Sequence, residues 1–330
     1  MSDTFKALVL NQENGKTTHS FEQLRTDALP EGEVVVSVSH SSLNYKDGLA
    51  ITGAGKIIRQ FPFVGGIDLA GVVESSESDQ YKPGDAVLLT GWGVGERHWG
   101  GFSQKARLKA QWLTPLPSGL TPERAMAVGT AGFTSMLCVM ALEGYGIKKE
   151  NGPVLVTGAN GGVGSLAVSL LAALGYEVTA STGRMEESDF LKGLGATHIL
   201  PRDELSRDSK PLERETWNGA VDTVGGKPLA TLLSQLQYGT AVAACGLAAG
   251  VPLPTTVFPF ILRNIGLLGV DSVMCPPDKR LETWRRITAI LPMDKLDDLT
   301  EVIPFDALPK AAETILKGGI RGRTVVDLNR

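Results

Sequence analysis

The first third of the chain alternates apolar and polar residues in steps of two. Val34, Val36 and Val38 share one face of residues 33–41 (EVVVSVSHS), the pattern of a half-buried strand. Residues 68–74 (DLAGVVE) and 85–90 (DAVLLT) read as two more strands, joined through the turn signal Lys82-Pro83-Gly84-Asp85. A β-rich barrel is predicted over about the first 115 residues. At Thr121-Pro122-Glu123 an N-cap, a Pro at the first helical position and an acid in the first turn open a long apolar helix, and a second domain begins. From Pro153 the period changes again: VLVT, a helix over 163–174, EVTAS, a helix over 186–194, THIL, GAVDTV, a helix over 227–237, GTAVAAC and LLGVDS. Six strands alternating with helices predict an α/β fold with a doubly wound parallel sheet. Near the end, Asp306 opens a helix that stops at Gly318-Gly319, and residues 324–328 form a strand able to return to the first domain.

One stretch raises a membrane question, because residues 228–262 carry no charge. Gly239, Gly246, Gly250, Pro252, Pro254 and Pro259 cut it into short elements, and a buried core is the expected outcome. At 330 residues the chain has room for about two domains, and 42% hydrophobic with 21% charged residues excludes disordered and fibrous classes. The 39 glycines are in excess, which points to many tight turns or to backbone brought close to a ligand. A net charge of −4 without a Lys/Arg run argues against nucleic acid as a partner. Cys138, Cys245 and Cys275 are odd in number and far apart, which predicts free thiols in a reducing compartment. The opening MSDTFKALVL has Asp3 and Lys6 beside only a short apolar run, so no signal peptide and a cytoplasmic protein are expected.

The strongest chemical signal is VLVTGANGGVG at 154–164. Ala159, Gly161 and Gly164 fit the dinucleotide fingerprint with Ala in first place: a tight turn, close approach to a pyrophosphate, and tight helix packing. Free amides at the start of the next helix favour the phosphates. The same residues satisfy the short-chain dehydrogenase pattern, but about 150 residues precede them and neither Tyr176 nor Tyr238 has Lys four places on. Tyr145 and Lys149 have that spacing only upstream of the glycines, so that reading is rejected. An NAD site carries an acid about 20 residues beyond the glycines. Here Ser181-Thr182-Gly183-Arg184 stands there, and Arg184 is suited to a 2′-phosphate, so NADPH is expected; a solvated helix start is the plainer alternative. Arg202, in LPRDE, is a second candidate.

The order of a strand-rich domain, a nucleotide domain and a C-terminal return resembles the medium-chain dehydrogenase/reductase superfamily over essentially the whole chain. Its zinc enzymes use Cys and His ligands where this chain has Asn44 (SLNYKDG), Ile67 (GIDLAG) and Thr130 (GTAGFT), and no four-Cys lobe is present, so no metal is expected. The stretches SSLNYKDGLAITG, LLTGWGVGERHWGG, GTAGFTSMLCVMALE, AACGLA, LPTTVFPFILRN, GVDSVM and GRTVVDL resemble the acryloyl-CoA reductase branch of the zinc-free quinone oxidoreductase-like group. That resemblance implies a GroES-like catalytic domain (1–125 and 273–330) and a Rossmann NADPH-binding domain (126–272), joined in a homodimer. It implies NADPH-dependent reduction of acryloyl-CoA to propanoyl-CoA, with an NADPH-dependent quinone or enone reductase as the alternative. Coenzyme contacts carried over are Tyr45, Asn160, Gly161, Gly162, Val163, Thr182, Gly183, Arg184, Arg202, Leu247, Ile261, Ser272 and Arg323.

For an enoyl thioester, hydride adds at the β-carbon and charge builds on the thioester oxygen, so donors are required there. Asn44, Tyr45 and Lys46 are the expected catalytic residues, with Tyr45 either the α-carbon acid or a packing aromatic. Asp47 is read as orienting Lys46 or capping the next helix. The loop 91–101 (GWGVGERHWGG) either walls a substrate cleft, with Arg97 reaching a CoA phosphate, or is a turn whose tryptophans pack. Lys56 and Arg59 are further CoA-phosphate candidates, with solvated charge the default. The strand LLGVDS is expected to pair with its counterpart in a second chain. Fold alone does not establish chemistry, so a nucleotide-binding protein without turnover is the third possibility.

Overall fold

The computed structural model describes residues 4–330; Met1, Ser2 and Asp3, on which the signal-peptide expectation partly rests, lie outside the described residues. The chain forms two compact units. One runs to Thr130 and takes in Val273–Trp284 and Leu299–Arg330, and the other comprises Ala131–Ser272 and Arg285–Asp298.

The first unit is built on β-sheet. Val34–Leu43 pairs antiparallel with Asp68–Ser76, which pairs with Ala86–Thr90. The C-terminal strand Arg323–Asp327 returns antiparallel to Val34–Leu43, as its position in the pattern predicted. A smaller sheet pairs Thr4–Glu13 with Lys16–Arg25 and Phe63–Val64. The apolar faces of these strands meet in one core that includes Leu8, Val36, Val38, Leu69, Leu89, Phe102, Phe305 and Val326. Trp92, Trp99 and Trp112 pack against it.

The second unit holds six parallel strands in the order His198–Pro201, Val178–Thr182, Val154–Val156, Trp217–Asp222, Leu236–Ala244, Gly266–Gly269. The first strand in sequence is central, and strand order reverses beside it, which in open α/β sheets marks the ligand crevice at the carboxyl ends of the strands. The uncharged stretch divides as expected into the helix Gly226–Gln235, the strand Leu236–Ala244 and the short helix Phe258–Arg263, but only the first two are buried core, since Leu247, Val251, Val257, Phe258, Ile261 and Leu262 are exposed. Among the described residues the helix long and apolar enough to span a membrane is instead Pro122–Tyr145, and it is mostly buried in the protein.

That helix is broken. Gly129 has φ 48° and ψ −158°, a conformation open to glycine, and the first compact unit ends just after it, at Thr130. Arg285–Asp298 also belongs with the parallel sheet rather than with the returning C-terminus. The cysteines are free thiols; Cys138 is raised well above its usual pKa by its hydrogen bond with Cys245 and by burial.

Candidate functional site

In the second unit the strand Val154–Val156 runs through Thr157-Gly158-Ala159-Asn160-Gly161 into the helix Gly162–Ala173. A Cβ on Gly164 would sit 2.3 Å from the Gly158 carbonyl oxygen and 2.7 Å from Ala159 Cα, so glycine alone lets the helix pack this close. The first turn carries no acid, which leaves the positive end of the helix uncompensated. Asn160 is buried; its Oδ1 accepts the Thr182 hydroxyl, and its Nδ2 has no hydrogen-bond partner in the protein. A glycine-lined amide turn with an orphaned buried donor fits a dinucleotide phosphate.

The neighbouring strands end beside this turn, with Thr182 opposite Pro201. Arg184 donates its amide to Thr182 Oγ1 at 2.9 Å, and its Nη2 lies 3.5 Å from the Asn160 carbonyl oxygen. The Arg202 guanidinium lies against Gly183, so that a Cβ there would be 2.8 Å from Arg202 Cζ. Gly183, Arg184 and Arg202 therefore converge, with no acid among residues 181–184. Gly161, Gly162 and Val163 are at least partly open to solvent. Leu247 and Ile261 are 63% and 68% exposed, in the segment after Leu236–Ala244 and on the helix Phe258–Arg263. Ser272 lies three residues beyond the last parallel strand, which stops at Gly269.

In the first unit, Asn44 caps the helix Tyr45–Thr52 in a reciprocal capping box with Asp47. Asp47 Oδ2 accepts Asn44 N–H at 2.9 Å and Oδ1 accepts Ile67 N–H at 3.1 Å, so Asp47 serves the capping box from its third position. Lys46 instead pairs with Glu96 at 2.7 Å, which ties the loop 91–101 to this turn. Burial first, and the nearby Asp68 charge second, push Asp47 up to about 7.

Asp68 is the centre of this region. Its carboxylate accepts Ser42 Oγ at 2.6 Å, Asn44 Nδ2 at 3.0 Å, Thr130 N at 2.9 Å and Thr130 Oγ1 at 2.5 Å. Arg323, 2% exposed, donates from Nε to Ala127 O, from Nη2 to Met126 O and from Nη1 to Asn44 Oδ1 at 3.1 Å. The positions aligned with zinc ligands by resemblance thus hold an amide, an alkyl and a hydroxyl side chain, bound up with two carboxylates and a guanidinium. That donor set does not fit zinc, which takes thiolate and imidazole ligands.

Two of the expected site residues are tied into the unit itself. Asn44, expected as a donor to substrate, gives its amide N–H groups to Asp68, Asp47 and Ser42, and its oxygen accepts from Arg323. Arg323, expected as a coenzyme contact, donates its guanidinium inside its own unit. Both are buried groups that fix the start of the Tyr45 helix. Tyr45 is 46% exposed and Lys46 is partly exposed, so these two keep donors for a ligand. The sequence pattern alone does not mark Asp68; its one signal is a carboxylate opening an otherwise apolar strand. His98 is a packing residue, its Nε2 2.7 Å from Arg107 O and its ring edge-on to Trp112, and burial lowers its pKa. Arg97, Lys56 and Arg59 are exposed.

Comparison with known proteins gives the same picture. Residues 30–118 match the alcohol dehydrogenase GroES-like domain, and residues 162–289 match the zinc-binding dehydrogenase family. The chain is 56% identical over 328 residues to an acrylyl-CoA reductase, AcuI, of Ruegeria pomeroyi, covering 98% of this chain and 99% of that protein. It is 55% identical to a probable acrylyl-CoA reductase, AcuI, of Escherichia coli, covering 98% of this chain and all of the other. The crystal structure of the yhdH oxidoreductase of Salmonella enterica in complex with NADP superposes with a TM-score of 0.96 at 55% identity, covering 98% of this chain and 99% of that one.

Proposed function

The chain belongs to the medium-chain dehydrogenase/reductase family, and from that premise we propose that it is an NADPH-dependent acryloyl-CoA reductase. The full-length likeness to acrylyl-CoA reductases carries the reading. The convergence of Gly183, Arg184 and Arg202 supports the phosphorylated coenzyme.

The pyrophosphate is held by the amides of Gly161, Gly162 and Val163 with Asn160 beside them, and the 2′-phosphate by Arg184 and Arg202. Thr182 fixes Asn160; Leu247, Ile261 and Ser272 complete the coenzyme contacts. When bound, the reduced nicotinamide supplies a hydride. Conversion of acryloyl-CoA to propanoyl-CoA would then require a proton at the α-carbon and stabilisation of the charge on the thioester oxygen. Tyr45 and Lys46 stabilise the charge on the thioester oxygen, and Tyr45 OH is the proton source. Asn44, Asp68 and Arg323 are positioning residues that hold the Tyr45 turn.

The outer edge of Gly266–Gly269 and the exposed Val257, Phe258 and Leu262 support a homodimer. The three free thiols are consistent with a cytoplasmic enzyme. Steady-state rates with acryloyl-CoA, crotonyl-CoA and a quinone series, each with NADPH and NADH, test the reading. The expected result is the highest kcat/KM for acryloyl-CoA with NADPH; a clear preference for quinones, or for NADH, overturns it.

A further inference from the structure

Arg184 and Arg202 each lie just beyond one of the neighbouring strands Val178–Thr182 and His198–Pro201, and the residue before Arg184 is a glycine. Gly183 has no positive φ, so neither a turn nor a strained backbone calls for glycine there. What its missing side chain leaves open is the space against which Arg202 lies. A Cβ at this position would stand 2.8 Å from Arg202 Cζ, closer than real Cβ atoms approach, with Nη1 at 3.0 Å and Nε at 3.1 Å in tight contact. The Arg202 side chain is 64% exposed, and its nearest acid is Asp203 at 3.9 Å, so the surroundings hold it only weakly apart from the bare backbone of Gly183.

We infer that Gly183 is a coenzyme-specificity determinant that acts by having no side chain: it is the floor on which Arg202 is preorganised toward the 2′-phosphate, opposite Arg184. This rests on the coenzyme reading above. An arginine already held in its bound geometry loses less rotamer freedom when it engages a phosphate. A methyl group at 183 would turn Arg202 out into solvent at little cost to the fold, because what must move is the end of an exposed side chain. Gly183 is therefore a positioning residue, and its effect runs through Arg202.

The test measures binding rather than turnover, by titration calorimetry with 2′,5′-ADP and with 5′-AMP on the full chain. In Gly183→Ala, 2′,5′-ADP affinity is expected to fall about tenfold, the loss of one charge-assisted contact, while 5′-AMP affinity stays within about twofold. In an Arg202→Ala background the same substitution should cost nothing further, since the two residues act as one. The inference is overturned if Gly183→Ala leaves 2′,5′-ADP binding unchanged, weakens both probes alike, or costs as much without Arg202 as with it. It is also overturned if the variant fails to fold, because the clash would then involve the backbone. If Arg202→Ala itself leaves 2′,5′-ADP affinity intact, the assignment of Arg202 to the phosphate fails and this inference with it. A loss in Arg202→Ala without one in Gly183→Ala sinks the inference alone.

Discussion

At the scale of single residues, the charges that matter have few alternatives to the roles they fill. Arg184 closes the segment 181–184, which contains no acid, and a guanidinium there favours a 2′-phosphate while doing little for a bare ribose. Arg184→Ala should raise the Kd for NADPH about tenfold or more, leaving that for NADH nearly unchanged, by fluorescence titration. Asp47 presents the opposite case, a carboxyl that folding makes less acidic. Its folded value of about 7 lies above its ordinary 3.8, so the folded chain holds the proton more tightly than the unfolded one. Its contribution to stability is complete below the unfolded value and is lost as the pH rises through 7. Unfolding free energy should therefore fall between pH 5 and 7 by up to about 1.4 kcal/mol per unit from this group and level off above pH 8. Urea titrations of the wild type and Asp47→Asn across that range isolate the component, and an unchanged slope in the variant would assign it elsewhere.

At the scale of elements, the break in Pro122–Tyr145 is what completes the Asp68 cluster. An unbroken helix would tie the Thr130 amide to the carbonyl four residues back; at the kink that amide donates to Asp68 instead. A side chain at Gly129 would meet Asp68 Oδ2 at 2.6 Å and Arg323 Nη2 at 2.7 Å, besides adopting a backbone conformation that costs on the order of 1–3 kcal/mol. Gly129→Ala is expected to destabilise the chain by at least about 2 kcal/mol and to lower kcat, read from denaturant midpoints and initial rates. The capping box makes a similar link: Asn44 and Asp47 satisfy the first turn of Tyr45–Thr52, and the same two side chains reach Asp68 and Ile67.

For the molecule as a whole, the open question is assembly. Gly266–Gly269 has one strand neighbour, and Val257, Phe258, Leu262 and Leu267 are all exposed large hydrophobic residues close to it in sequence. A patch of this kind is costly to leave in water. Sedimentation velocity should give twice the 35.0 kDa chain mass for the wild type, and Leu262→Asp with Leu267→Asp should shift it to the monomer. A wild-type monomer at micromolar concentration would overturn the dimer. Zinc belongs to the same scale, because a family match that includes zinc-binding dehydrogenases coexists here with a donor set unsuited to that metal.

Hydrophobic period determined the architecture without help. Alternation in steps of two marked the strands of the first unit, and alternation of strand and helix marked the parallel sheet, because burial of a face imposes its period on the residues that line it. The glycine box and the missing acid at 181–184 were equally legible, since both are local: the turn, the helix start and the strand end lie within thirty residues. The junction at Gly129 was not, because a glycine inside an apolar helix reads the same whether it bends or not. Nor was the network around Asp68, whose members Asn44, Thr130 and Arg323 come from far apart in the chain; the bond from Arg323 to Asn44 spans 279 positions. Such contacts arise only when strand pairing brings the C-terminus back beside Val34–Leu43, and burial then obliges each polar atom to find a partner.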